Sequence, residues 1–392
     1  MPENNPSPIR VLHSVGTFLN ISENWIYPQI TRVPGISSRV LCSGLLNRDT
    51  FPLEASRMYA TPPPPWEKAL GIPRLCNALA RRIGLGGYLL GAKIGRWKPD
   101  VLHAHFGVRG WESLALKKYL RCKLVTSFYG YDAWLLPNTE PVLRTRYLEL
   151  FSEGDAFLVE GPAMRDRLCE LGCPPEKVLI QRIGVDLDAL PFVARNFSGE
   201  LKIIMVARFV EKKGFVDGLR ACALAGAHGT NLSVTVVGDA SPEYPTEQKI
   251  KKELLKIAQR PELAGRVRFT GFVPLQATRD LLQKNNVFLC PSKHAATGDA
   301  EGGSPVVLTE AMATGLLCVG TSHCDIPQVI LNDQTGFLCK EGDIEGMAKT
   351  LSMVQKNTDK LYAITQGGRR HVEENFSLPI QMIKFRAVYG GK

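Results

Sequence analysis

No stretch of this chain approaches the roughly 18 to 20 uncharged apolar residues that a membrane-crossing helix needs. The first residues, with Glu3, Asn4, Asn5 and prolines at 2, 6 and 8, lack the basic and then apolar pattern of a secretory leader, so a cytoplasmic protein is expected. Ten cysteines are present, yet no Cys-x-x-Cys pair occurs, which excludes the common zinc and dithiol motifs. Cys169 and Cys173 lie four apart on a helical stretch, and Cys290, Cys318 and Cys339 adjoin apolar runs; all read as reduced thiols. No Gly-x-Gly-x-x-Gly follows a first strand, and Val237-Gly238-Asp239-Ala240 stops short of one, which argues against a dinucleotide-dependent dehydrogenase. There is no internal repeat of fixed period.

Charge is present but unevenly placed. The net charge is +10, and between Trp66 and Lys123 twelve lysines and arginines face three acids, so one segment carries nearly all of the excess. Leu75, Leu79, Ile83, Leu89, Leu90 and Ile94 recur among these cations at partly helical spacing. That pattern fits a basic amphipathic surface drawn to anionic lipid at the inner face of the plasma membrane, through residues 68–123. It fits equally a solvated helix packed on a sheet. No aromatic and basic interleaving of a recognised nucleic-acid module accompanies the charge, so it does not suggest nucleic acid.

Short β-branched runs alternate with helical stretches along the whole chain, the signature of parallel sheets covered by helices. Strands are expected at 10–14, 39–42, 101–104, 124–127, 157–160 and 178–183, and again at 201–207, 232–237, 267–270, 287–290, 317–320 and 336–338. At 392 residues the chain exceeds the size at which one core keeps growing. The fold class is therefore α/β, with two doubly wound Rossmann-like domains facing a central cleft. Residues 1–190 form the first, 191–375 the second, and 376–392 a terminal helix packing back on the first. The 51–66 segment, with four consecutive prolines from Pro62, is expected to be a loop rather than a regular element.

Chemistry concentrates in the second half. Glu301-Gly302-Gly303-Ser304-Pro305 precedes Val306 to Ala313, and reads as a glycine loop opening a helix, with Ser304 as N-cap and Pro305 at the first helical position. Free amides at such a turn attract anions. Glu310, further along, can accept two hydrogen bonds from a vicinal diol such as a ribose, so phosphate and ribose together suggest a nucleotide. Upstream, a predicted strand ends in Arg208, and Lys213-Gly214 opens a helix five residues later. Two cations there can neutralise a departing diphosphate.

These residues resemble the retaining glycosyltransferases of family 4, which have the GT-B fold, and among them the enzymes building exopolysaccharides or lipopolysaccharides of the colanic acid type. Asp100-Val101-Leu102-His103-Ala104-His105-Phe106-Gly107 and Ser127-Phe128-Tyr129-Gly130-Tyr131-Asp132 extend the resemblance to the first half. It implies that Arg208 and Lys213 hold the donor's diphosphate, that Glu310 binds the nucleotide ribose, and that Glu301 with Gly302, Gly303 and Ser304 faces the transferred sugar and its phosphate. Gly16 would lie on a glycine loop at the donor phosphate, Phe272 and Val273 would frame the base, and His103, His105, Tyr129 and Asp132 would touch sugar or acceptor. The implied co-substrate is a UDP- or GDP-type nucleotide sugar, the acceptor a glycan or a lipid-linked glycan, with no cofactor and no metal. Asp186-Leu187-Asp188 spells a metal-binding tripeptide of other glycosyltransferases but falls in the interdomain join.

Two departures stand out. Glu301 and Glu310 are nine apart where the family usually has eight, and Tyr129 occupies a position where many members carry a histidine. Phenol is a poor base near neutral pH. A catalytically silent nucleotide-sugar-binding partner is the alternative these departures suggest. No paired carboxylates of the kind that flank an anomeric carbon are evident, so the resemblance's front-face substitution is expected rather than double displacement.

Overall fold

A computed structural model describes residues 7–60, 94–355 and 358–390. The basic stretch from Lys68 to Lys93 lies outside them. The chain divides into two compact units, Met1–Arg182 with Gln381–Lys392, and Ile183–Ile380. The sequence placed the joins at 190/191 and 375/376. The intervening residues go with the second unit for a local reason: Val185 N donates to Phe376 O and Leu378 N to Val185 O, both at 2.9 Å, while Leu190 is fully buried in that unit's core.

In the first unit the strands are β1 (Ile9–Ser14), β3 (Ile36–Cys42), β5 (Met58–Ala60), β6 (Val101–His105), β7 (Lys123–Ser127), β8 (Ala156–Val159) and β9 (Val178–Ile180). They form one parallel sheet in the order β5-β3-β1-β6-β7-β8-β9, beside a two-stranded pair of β2 (Thr17–Phe18) and β4 (Gly44–Leu45). Leu12, Leu102 and Leu124 point to one face, where Tyr147, Leu150 and Phe151 of the helix Val142–Glu153 cover them. The opposite face is unusual. Because β1 and β6 align His13 with His103, and strand residues two apart share a face, His13, His103 and His105 stack inside the unit. Phe385 and Tyr389 of the helix Leu378–Gly390 lie against His103.

The second unit is a six-stranded parallel sheet of β10 (Leu201–Val206), β11 (Leu232–Val237), β12 (Val267–Phe269), β13 (Val287–Cys290), β14 (Leu317–Thr321) and β15 (Gly336–Cys339), ordered β12-β11-β10-β13-β14-β15. Alternation splits its side chains between two cores. Ile203 and Met205 meet Leu219 and Leu351 on one face, and Ile204 and Phe288 meet Leu308, Met312 and Val372 on the other. Strand order reverses beside β10, so the ends of β10 and β13 diverge into the kind of crevice where doubly wound sheets bind ligands. Among the described residues, no helix is long and apolar enough to cross a membrane.

Candidate functional site

At the C-terminal edge of the second unit's sheet, the chain leaves β10 through Arg208, leaves β13 through Pro291 and Ser292, and leaves β14 through Ser322 and His323. Lys213 closes a short turn, Glu211–Lys213, before the helix Phe215–Ala227. Gly214 joins the two at φ +64°, and a Cβ there would stand 1.7 Å from the Pro291 carbonyl oxygen, so only glycine lets the turn approach the β13 loop.

That approach delivers Lys213 to Glu301. Lys213 Nζ lies 2.6 Å from Glu301 Oε2, and Ser292 Oγ donates to Glu301 Oε1 at 2.7 Å. Burial alone would push the Glu301 carboxyl up, but the charges of Lys213 and Lys212 and the two side-chain hydrogen bonds outweigh it, and the pKa is lowered. The preceding loop is tied down as well: Lys212 Nζ reaches Asp299 Oδ1 at 3.0 Å and Ala300 O at 2.9 Å, and Lys293 Nζ reaches Asp217 Oδ2 at 2.6 Å. Gly302 follows at φ +85°.

The helix after this loop spans Val306–Ala313, with Pro305 as its N-cap and no side-chain cap bond. The expected frame, Ser304 capping and Pro305 first in the helix, is thus one residue early. Pro305 is extended at ψ 126°, and its carbonyl accepts the first helical bond from Leu308 N at 2.9 Å. The helix remains an amide-rich terminus facing the glycine loop. Glu310, its fifth residue, has a side chain only 12% exposed, and its nearest cation, Arg279, stands 3.9 Å away. Burial drives its pKa up to about 7 against the pull of that arginine. Arg208 is the opposite case: its side chain is 55% exposed and makes a 3.7 Å approach to Glu247.

In the first unit, the four residues expected at a sugar are engaged internally. His103 is fully buried, with Nδ1 2.7 Å from Tyr389 Oη and Nε2 2.8 Å from Ser127 Oγ. His105 meets His13 Nδ1 at 3.1 Å and Tyr129 Oη at 2.8 Å. Asp132 is fully buried and accepts from the amides of Gly107 at 2.7 Å and Tyr129 at 3.0 Å.

The comparisons with known proteins divide along the same line. Residues 188–371 match Glycosyl transferases group 1 and residues 51–189 match Glycosyltransferase Family 4. WcaL of Escherichia coli K12, named for colanic acid biosynthesis, is 33% identical over 288 residues, 72% of this chain and 68% of that protein. AmsK of Erwinia amylovora, an amylovoran biosynthesis glycosyltransferase, is 30% identical over 281 residues, 71% of this chain and 67% of that protein.

The chain belongs to the family 4 glycosyltransferases.

Among solved structures, Anabaena HepE in complex with UDP and glucose superposes with TM-score 0.74 at 15% identity, covering 98% of this chain and 100% of that one. The sucrose-phosphate synthase of Thermosynechococcus elongatus gives 0.75 at 16%, covering 97% and 98%. The fold is GT-B.

In this glycosyltransferase Lys213 and Glu301 touch, the next residues Gly302 and Gly303 are buried, and Ser304 is half-buried. Phe272 is 60% exposed after β12 and Val273 packs on the core, both in the loop joined to Gly238 by the Gly238 N to Gly271 O bond of 3.0 Å. Gly16, after β1, is half-buried, and a Cβ there would meet nothing within 4 Å. The expectation that His103 and His105 touch sugar is corrected: with both ring nitrogens of each bonded inside the protein, they are core residues. Asp132 caps a turn. Tyr129 has its hydroxyl against His105, and burial pushes its pKa up.

Among the described residues, two groups bring three ring nitrogens or thiols within 4.8 Å, His13 with His103 and His105, and His294 with His323 and Cys324. Neither has the character of a metal cage. In the first, five of six ring nitrogens already face hydrogen-bond partners, and in the second His323 has Glu341 Oε1 at Nδ1 and the Glu301 amide at Nε2. Sequence reasoning missed Ser292, Lys212, Arg279, His323 and Glu341. The one available signal was position, since Ser292 and His323 each stand two residues past an apolar strand.

Proposed function

We propose that this chain is a retaining glycosyltransferase, taking a hexosyl group from a UDP- or GDP-type nucleotide sugar to a hydroxyl of a glycan or lipid-linked acceptor in cell-surface polysaccharide biosynthesis. The observation that carries the reading is the Lys213–Glu301–Ser292 arrangement at the mouth of the glycine loop, with Arg208 largely exposed two residues past β10. A cation ordered by a buried carboxylate, a helix N-terminus without a side-chain cap and a second, largely exposed cation suit a diphosphate that gains charge as it leaves. The polysaccharide assignment is supported by the names of WcaL and AmsK, and the nucleotide by the UDP bound in HepE.

In the proposed reaction the bond between the sugar's anomeric carbon and the β-phosphate oxygen breaks, and the acceptor oxygen bonds the same carbon on the same face. The acceptor's proton passes to the departing phosphate oxygen. Lys213 and Arg208 offset the charge on the diphosphate, Glu301 and the Gly302–Gly303 turn orient the sugar, and Glu310 accepts from the ribose hydroxyls. No metal is invoked in any step. Residues 68–123 are proposed to bring the protein to an anionic membrane carrying its acceptor.

Product stereochemistry tests the reading. Purified protein supplied with a labelled nucleotide sugar and a lipid-linked acceptor should give a product whose anomeric configuration matches the donor, with EDTA present. An inverted product, or nucleotide binding with neither transfer nor donor hydrolysis, contradicts it, the latter in favour of the silent binder.

A further inference from the structure

Three loops leaving β13, β14 and β15, neighbours in the sheet, converge on one carboxylate. Glu341, two residues past β15, accepts His323 Nδ1–H at 2.8 Å on Oε1 and the His294 amide at 2.8 Å on Oε2, with His294 Nδ1 at 3.0 Å from both oxygens. A carboxylate facing Nδ1 fixes the His323 proton there and leaves Nε2 as a lone pair. Into that lone pair the Glu301 N–H donates, at 3.2 Å. The next amide, that of Gly302, bonds Cys324, whose sulfur lies 3.4 Å from the same Nε2 and whose backbone is left-handed at φ +44°. Lys213 and Ser292 hold the side chain of Glu301, but its main chain is anchored by His323.

We propose that His323, oriented by Glu341, is the positioning residue that locks the Glu301–Gly302 backbone in place, and that placing a proton on its Nε2 releases the loop. The proposal rests on the reading of this loop as the sugar-facing part of the donor site. A protonated Nε2 would aim N–H at N–H, so the lock exists only with the neutral ring. The groups facing that ring are Glu341, Glu301, His294 and Cys324. Burial lowers its pKa from the usual value, His294 acts the same way, and the hydrogen bond and charge of Glu341 with the charge of Glu301 oppose the shift. At neutral pH the ring therefore stays an acceptor.

Substitution separates this role from mere packing. Glutamine at 323 extends an amide oxygen to about the reach of Nε2 and cannot titrate, whereas asparagine is one carbon shorter. Amide hydrogen exchange of the full, unliganded chain, corrected for intrinsic rates, is followed on peptides covering 300–303 between about pH 5 and about pH 8. The wild type should show about tenfold or greater protection at neutral pH that is lost on acidification. His323→Gln should keep protection across the range, and His323→Asn should lack it throughout, with the β14 amides protected in all three. Protection that ignores pH in the wild type, or that His323→Asn retains, overturns the proposal, and should His323→Asn not fold, the wild-type and His323→Gln profiles still decide it.

A second arm separates this from the donor reading. Calorimetric titration with UDP-glucose and GDP-mannose should show a nucleotide bound by the wild type and by His323→Gln, and bound at least about tenfold more weakly by His323→Asn. The expected exchange pattern in a wild type that binds neither nucleotide contradicts the donor reading while supporting the lock. Undiminished binding by His323→Asn overturns the lock's role.

Discussion

Lys213 Nζ and Glu301 Oε2 are 2.6 Å apart, with side chains 21% and 6% exposed. A pair this enclosed is tolerable only while both charges are present. Lys213→Met should strand the carboxylate and cost about 3–5 kcal/mol of stability, read as a lower urea midpoint. The double variant Lys213→Met, Glu301→Gln should recover most of that loss while remaining inactive. Equal destabilisation in single and double variants would show that the pair is not coupled.

Arg208 should behave differently. Its exposed side chain and long approach to Glu247 give the fold little, so Arg208→Ala should change stability by no more than about 0.5 kcal/mol while lowering kcat about 10²–10³-fold. Steady-state kinetics and a denaturation curve on one preparation check both halves. Retained turnover would remove Arg208 from the site.

Glu310 links stability to pH with the reverse of the usual carboxylate sign. Its folded pKa, pushed by burial to about 7 from 4.5, lies above the unfolded value, so the folded state holds the extra proton between those two pH values and stability falls as pH rises across the window. Glu310→Gln should abolish that fall and stabilise the unliganded protein near pH 8 by a few kcal/mol. It should also raise KM for the donor more than it lowers kcat, since a neutral amide is a weaker acceptor for ribose hydroxyls. A pH–stability profile of the variant superimposable on the wild type's would refute the assignment.

The buried histidines of the first unit act at lower pH. Burial holds His103 down at about 3 and lowers His13 and His105 well below the usual value. Below about 6.5 the unfolded chain binds protons that the folded unit refuses, so stability falls with pH by roughly 1 kcal/mol per pH unit for each histidine. Urea denaturation at successive pH values from 7 to 4, followed by tryptophan fluorescence, should show this slope. It should be shallower by about one proton in His103→Gln, where nothing titrates at that position.

Much of this was legible in the sequence because local pattern and tertiary role coincide. The strand runs of both halves were visible since parallel strands buried on two faces are continuously apolar, and the glycine loop announced itself through Glu301-Gly302-Gly303 ahead of an apolar helix. What escaped were contacts made across strands. His103 and His105 look like ligands when β6 is read alone; only the β1 to β6 register, setting His13 beside His103, shows a stack closed by Tyr389 from the far end of the chain. His323 and Glu341 lie 22 and 40 residues beyond Glu301, on loops that only the sheet order makes neighbours. The helix frame at Ser304 was one residue early because Pro305 suits an extended N-cap as readily as a first helical turn.

The measurement that bears most directly on the central claim is calorimetric titration of the metal-free protein with UDP, GDP and ADP and their hexose conjugates, alongside Arg208→Ala and Glu310→Gln. A uridine or guanosine diphosphate sugar should bind the wild type with EDTA present, with affinity reduced in both variants. Binding of none of them, or binding that both variants retain in full, would contradict a donor site built on Arg208, Lys213, Glu301 and Glu310.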